Sequence, residues 1–501
     1  MYLIIKKKQD NEVYMEYRKR AVFSQVKSEQ LVHSNVTILF HRFRLENLLR
    51  SSGLTKEKGY SPLEMLYQML LLILERSNSV NAGLFMFNRE NLKTPLNDML
   101  NNVWYNWRRL HYRVAAKCIK LNMVNNKNEE PVLIIDDTSK KKCGKKVENI
   151  AWFIDHCQKV HYKGYQVVMS ALSIGRLAIP LDFELKIGKL KVNRFVKIFY
   201  RKGTHTNQRE RMGKKSKILI AMDLISRALH RKFKFKYVLW DSWYSCDKSV
   251  KYVCSKLIPK GINLVAMIKR DKQQYLYKEK LMTIKEIYQR AGKWIIDQQT
   301  GVKYKSARVM VLDKTSSKSV VNRTPFVEVT MCFYKYPKVK QFRVIISTDL
   351  DKSAPEILKL YLRRWFIEII FQELKGLFGF DQSKSSKYAP QIADLTIRCI
   401  FYIMFCSLRE NQPDKSTQQI LLEFYIEIEE VALDVFLQLI LASQIKEFLK
   451  VTQRKGYKTI EELLKNVDTL LIRFFENEWH ESNIEEIDIR SFRNKRYHIA
   501  A

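Results

Sequence analysis

The 501-residue chain carries 89 Lys and Arg against 52 Asp and Glu, a formal net charge of +37. Its 46% hydrophobic and 12% aromatic content excludes a disordered polycation and gives a folded protein with room for two or three domains. So large a positive excess points away from a small-molecule enzyme and toward a polyanion, because neutralising phosphates releases counterions; the plain alternative is a basic surface kept for solubility.

The eight cysteines form no CxxC pair and no zinc-like spacing, which fits free thiols of a reducing compartment. His156 and His161 flank Cys157 without a second ligand cluster elsewhere, so structural roles are expected there. Met1-Tyr-Leu-Ile-Ile runs straight into Lys6, Lys7 and Lys8, unlike a secretory signal. The longest apolar runs, Met69 to Leu74 and Cys399 to Cys406, fall short of the ~20 residues a bilayer requires. No membrane partner is expected, and the expected location is the cytoplasm.

Residues 1 to about 40 show no clear period. From Phe40 to about Asn125 the pattern is helical, with Ser61-Pro62 and Glu64 as a helix start and Leu63, Leu66, Leu70 and Leu74 at helical spacing. Pro131 to Ile135 is a β-branched run typical of a buried strand and ends in Asp136-Asp137-Thr138. Gly164 to Ser173 and Leu177 to Leu185 are further strand candidates, and the basic run Arg209, Arg211, Lys214, Lys215, Lys217 leads into a helix through Leu229. Residues 233 to 240 form another strand and deliver Asp241. A helix at 248 to 258 and a parallel strand at Asn263 to Ile268 complete an α/β pattern. Lys293 to Ile296, Lys303 to Leu312, Phe326 to Tyr334 and Phe342 to Ser347 read as a β-rich insertion. Thr348 to Pro355 is a turn that leads into a helix. Helices return at Ile392 to Leu408, Thr417 to Leu441 and Ile460 to Phe475.

The stretch from Tyr361 to Lys375 reads as one helix, uninterrupted by Gly or Pro. At about 100° per residue, Tyr361, Arg364, Glu368 and Lys375 fall within a stripe roughly 60° wide. A solvated face stitched by ion pairs is the bland alternative. The apolar surround of Trp365, Phe366, Ile367, Ile369, Ile370 and Phe371 argues instead for a carboxylate that is paired or bound to metal. Glu373 falls on the other side.

The pattern Tyr361-x2-Arg364-x3-Glu368-x6-Lys375 resembles the third catalytic motif of bacterial insertion-sequence DDE transposases of the Y-R-E-K signature group, the insertion-sequence-four-like family. Leu133 to Thr138 and Val238 to Tyr244 resemble the first and second motifs, and Phe342 to Leu350 the approach to the third. The likeness covers roughly residues 130 to 380. It implies an RNase H-like catalytic core with Asp136 or Asp137, Asp241 and Glu368 as catalytic acids. Asp136, Asp241 and Glu368 would bind two Mg²⁺ or Mn²⁺ ions, whose preference for hard oxygen ligands suits them. Asp136 and Asp137 point to opposite sides of a continuing strand, and each fits D-x-[ST], so the choice leans only slightly to Asp136. The resemblance also gives Arg364 and Lys375 phosphates to hold, Tyr361 the 5′ strand, and Trp294 a flipped base; a core tryptophan is the competing reading of Trp294.

The expected fold class is therefore α/β. Residues 129–271 and 341–390 form the core and 272–340 the β-rich insertion. A mostly helical DNA-binding region occupies 1–128 and a helical region 391–501. The expected activity is transposition: cleavage of double-stranded DNA at element ends and transfer of the 3′-hydroxyl to target DNA by a homodimer on DNA. A nuclease without strand transfer and a catalytically silent DNA-binding derivative are the alternatives.

Overall fold

The computed structural model describes residues 35–74, 90–123, 129–144, 146–155, 159–188, 200–298, 300–313, 316, 319 and 323–426. Two compact units divide after Tyr425. All of the second except Ile426 lies outside the described residues, as do the helices expected beyond 426 and the segment before residue 35.

The β-branched run after Pro131 becomes β1 (Val132–Lys141), whose first four residues are buried. The chain returns through β2 (Ala151–Asp155), β3 (Val160–Ile174) and β4 (Leu177–Lys186). β3 lies antiparallel to β1 and to β4, while β2 pairs antiparallel with the start of β3. Where β3 meets the end of β1, Gly164 adopts φ +152, and a Cβ there would sit 2.1 Å from the Lys140 carbonyl oxygen. Only glycine lets the two backbones approach this closely.

The basic run after residue 205 forms two helices, not one: α6 (His205–Gly213) and α7 (Lys217–His230), each started by a capping hydroxyl, Thr204 and Ser216. β5 (Tyr237–Trp240) and β6 (Asn263–Met267) follow, joined through α8 (Asp247–Lys256), and both run parallel to β1.

The β-rich stretch continues the same sheet. β7 (Gln274–Tyr277) and β8 (Lys280–Thr283) form a hairpin, followed by α9 (Ile284–Arg290), β9 (Ile295–Ile296), β10 (Lys303–Leu312) and β11 (Pro325–Lys335). β12 (Arg343–Ser347) pairs with both β11 and β6. The result is a mixed α/β fold on one twelve-stranded sheet, ordered β2-β3-β1-β5-β6-β12-β11-β10-β7-β8, with β4 on β3 and β9 on β10.

Among the described residues five α-helices precede the sheet: α1 (Asn35–Phe43), α2 (Leu45–Ser51), α3 (Pro62–Leu74), α4 (Lys93–Asn101) and α5 (Trp107–Asn122). The start of α3 is as read from the sequence: Ser61 and Glu64 exchange backbone–side-chain hydrogen bonds of 2.6 and 3.2 Å.

After β12 come α10 (Ala354–Leu362), α11 (Trp365–Gly376) and α12 (Tyr388–Asn411). α12 packs on β4, α5, α4 and α3, and is buried along almost its whole length. By length and composition it could cross a membrane. Its apolar surface is instead spent on the protein core, so the boundary expected at 391 cuts through the central helix of the first unit.

Candidate active site

Two acids arrive from neighbouring strands. Ile135 on β1 lies in register with Trp240 on β5, so Asp136 and Asp241 emerge side by side where the parallel pairing stops; β5 ends there, while β1 runs on against β3 to Lys141. Crevices outside strand ends are where open α/β sheets bind ligands.

The third acid comes from the Tyr361–Lys375 stretch, which is not the single helix its sequence suggests. It breaks at Arg363–Arg364, between α10 and α11. The amides of Arg363 and Arg364 bond three residues back, to Leu360 and Tyr361. Arg363 is drawn out of line, its guanidinium donating to the carbonyls of Glu130 at 2.7 Å and Ser173 at 2.9 Å. Arg364 and Glu368 nonetheless share one face, because Arg364 is the N-cap of α11 with helical backbone angles and Glu368 follows four residues on.

The Arg364 guanidinium then joins the pieces: one arm donates to Asp136 Oδ2 at 2.8 Å and the other to Glu368 Oε1. Two carboxylates on the two arms of one planar group are roughly 8 Å apart at most, two hydrogen-bond lengths plus the group's width.

Strand alternation separates the two adjacent aspartates. Asp136 faces Arg364 on α11. Asp137 faces α7, where it is bound by Lys217 Nζ at 2.5 Å, the Tyr244 hydroxyl at 2.8 Å and the Gln166 amide. Asp241 accepts the Trp243 amide at 3.0 Å, and Lys217, Asp137 and Arg364 all act on its charge.

The rim is richer in acid than in base: Asp136, Asp137, Asp241 and Glu368 against Arg364 and Lys217. Burial, with help from Asp137 and Asp241 and against the pull of Arg364, pushes the Asp136 carboxyl up to about 7. Burial also raises Asp241. An excess of partly buried carboxylate is the electrostatic condition for binding a cation. Among the described residues no three His, Cys, Asp or Glu side chains stand close enough to hold an ion as they are, since Arg364 lies between Asp136 and Glu368. The donor set nevertheless fits hard divalent ions such as Mg²⁺ in ligand type and charge.

The remaining expected site residues are placed less centrally. Tyr361 is buried at the end of α10, where burial raises its phenol. Lys375 shares the Glu368 face of α11 but lies seven residues further on, about 10 Å along the axis. Its charge neighbours are Asp381, Lys141 and Asp155. Trp294 packs edge-on against Tyr288 at 5.8 Å, with Lys305 5.3 Å from its ring centroid. Glu373 is held by the Tyr402 hydroxyl at 2.6 Å.

Lys217 and Tyr244 were not singled out from the sequence as site residues. Lys217 did carry a signal: as the first residue of α7, directly after its Ser216 cap, it sets a cation at the positive end of a helix dipole. Such a placement calls for a nearby anion, which here is Asp137.

A sheet that presents acids at parallel strand ends opposite an acid-bearing helix defines a nucleic-acid-cleaving class of enzyme, and comparison with known proteins agrees. Residues 63–324 match the family described as DDE superfamily endonuclease, and the chain belongs to that family. The matched span contains Asp136, Asp137 and Asp241 and ends before Glu368. Among solved structures it is similar to the Drosophila P element transposase strand transfer complex, at 9% identity and a TM-score of 0.24, covering 56% of each chain. The chain therefore spans little more than half the length of that transposase. No curated protein matches it.

Proposed function

We propose that the protein is a DNA transposase of the insertion-sequence type, which cleaves DNA at element ends and joins the freed 3′-hydroxyl to target DNA. The observation that carries this reading is the Arg364 bridge, which brings acids from opposite ends of the sheet's sequence onto one rim. The order β4-β3-β1-β5-β6, antiparallel and then parallel, supports an RNase H-like core, with residues 272–340 as a β-rich insertion extending it.

Asp136, Asp241 and Glu368 would hold two divalent ions, Mg²⁺ or Mn²⁺. Bound there, such ions activate an attacking oxygen and stabilise the leaving one. Asp137 keeps its oxygens on Lys217 and Tyr244 and so positions β1 beside Asp136. Arg364, released from its two acids, has a planar fork suited to a phosphate. Lys375, Tyr361 and Trp294 would contact the DNA strands flanking the cut. The +37 charge favours double-stranded DNA as the partner, and handling two ends implies a homodimer on DNA, acting in the cytoplasm.

The test is a plasmid assay with Mg²⁺ and a supplied linear duplex bearing free 3′-hydroxyls. Joined product is expected from the wild type. Asp241→Asn and Glu368→Gln should each lower cleavage by about 10³-fold or more while sparing DNA affinity. Nicking without joining would reduce the reading to a nuclease; no metal-dependent cleavage at all would reduce it to a DNA-binding protein.

A further inference from the structure

The strand that delivers Asp136 goes on to a second meeting with α11. Side chains alternate along β1, so Lys140 stands on the same face as Asp136, roughly 13 Å further on. The Lys142 amide still bonds β3, so its side chain falls on that face as well. Both lysines are buried, Lys140 completely. Their ammonium groups donate to main-chain carbonyls, Lys140 Nζ to Phe380 and Lys142 Nζ to Ser383 at 2.5 Å.

Those carbonyls belong to the loop that leaves α11. Another of them, on Phe378, accepts from Arg398 of α12. Gly379 allows that approach: at φ +65, a Cβ there would stand 2.7 Å from Arg398 Nη1. Carbonyls at the C-terminal end of a helix carry partial negative charge, which suits cations. The other end of α11 is tied by Arg363 to the carbonyls of Glu130 and Ser173. Between these ties, burial of Ile367, Ile370, Phe371 and Leu374 holds the helix against the protein but has no direction of its own. Hydrogen bonds to the main chain do have direction, and they fix where the helix sits along its axis.

We propose that Lys140 and Lys142 are positioning residues for Glu368: their bonds to the exit loop fix α11 along its axis and so set how Glu368 shares a divalent ion with Asp136. The proposal rests on the ion-binding reading above. From Glu368 to Gly376 the helix rises about 12 Å, close to the span from Asp136 to Lys140. Strand and helix are therefore joined by two rungs, Arg364 on Asp136 at one level and Lys140 on Phe380 at the next. In the ion-bound site Arg364 lets go of both acids, and the lysine rung is the one that stays.

The experiment titrates Mn²⁺ into the full chain by calorimetry. Lys140→Met is expected to weaken Mn²⁺ binding about 10- to 100-fold. Lys142→Met should act in the same direction, and it carries the test if the first variant does not fold. Combining either change with Glu368→Gln decides the route. A lysine that works through Glu368 then has nothing left to position, so the double variant should bind no more weakly than Glu368→Gln alone. Losses that multiply in the double variant overturn the positioning role, as does wild-type affinity in both lysine variants. A wild type that takes up no Mn²⁺ overturns the proposal together with the ion reading beneath it.

Discussion

Two charged clusters lie on the same sheet and obey opposite arithmetic. At the rim, four acids meet two cations, and side chains stay partly open: Glu368 is 34% exposed and Asp136 16%. On β4, Asp182 and Glu184 are almost sealed and meet three arginines, Arg108 from α5, Arg209 from α6 and Arg227 from α7. The Tyr112 hydroxyl adds a 2.6 Å bond to Asp182. Burial alone would raise Asp182, but the three guanidiniums and this bond overcome it and hold the carboxyl well below its usual range. The rim does the reverse to Asp136. A cluster whose acids are matched by cations fastens helices to a strand; one with acids in excess keeps an appetite for cations.

The contrast breaks most visibly if β4 is attacked. Asp182→Ala strands three buried guanidiniums on one remaining acid and should cost about 3–5 kcal/mol of stability, read by urea unfolding. A loss near zero would mean that the cluster is decoration.

The rim should respond to divalent ions where β4 does not. Mg²⁺ at a hundred times its dissociation constant should stabilise the wild type by about 2.7 kcal/mol over the protein in EDTA. Glu368→Gln should show a much smaller gain. Thermal melts with and without Mg²⁺ check this, and an equal gain in both proteins would place the ion elsewhere.

A further effect, read by pH, concerns Lys140, fully buried at the end of β1, with Nζ donating to the Phe380 carbonyl. Burial lowers its ammonium to about 7; Lys142 and Arg398 add to this, while Asp394 and Asp381 oppose it. The unfolded lysine keeps its proton to a higher pH, so between about 7 and 10 the unfolded chain binds more protons. Native stability therefore climbs as pH rises through that window and gains nothing below it. Urea melts at pH 7 and 9.5 should show this climb in the wild type relative to Lys140→Met; parallel behaviour would contradict it.

The strands that deliver Asp136 and Asp241 were legible, because an apolar run before each acid states its burial directly, although β5 keeps only Tyr237–Trp240 of the expected 233 to 240 and β1 continues past Asp136 to Lys141. The face of each aspartate was not, since alternation separates Asp136 from Asp137 without saying which helix covers which side. The break at Arg363 was hidden for a similar reason: the carbonyls its side chain bonds there, on Glu130 and Ser173, are far away in the chain. Helical angles placed Arg364 and Glu368 together correctly and also aligned Lys375, but angles carry no axial distance. The 272–340 stretch read as β-rich and did not reveal that its strands extend the core sheet, because pairing partners across a sheet leave no mark on local periodicity.

That continuity makes the stretch removable in principle. β6 and β12 are antiparallel neighbours, with Met267 opposite Ile345, so everything between them leaves and returns at the same doorway. A short turn could close that doorway without disturbing the strands that carry Asp136 and Asp241, and α10 would still lead on to Glu368. The cost would fall on β12, which would become a bare sheet edge open to pairing with another chain. A trimmed protein would need a charged residue or a proline there to stay single.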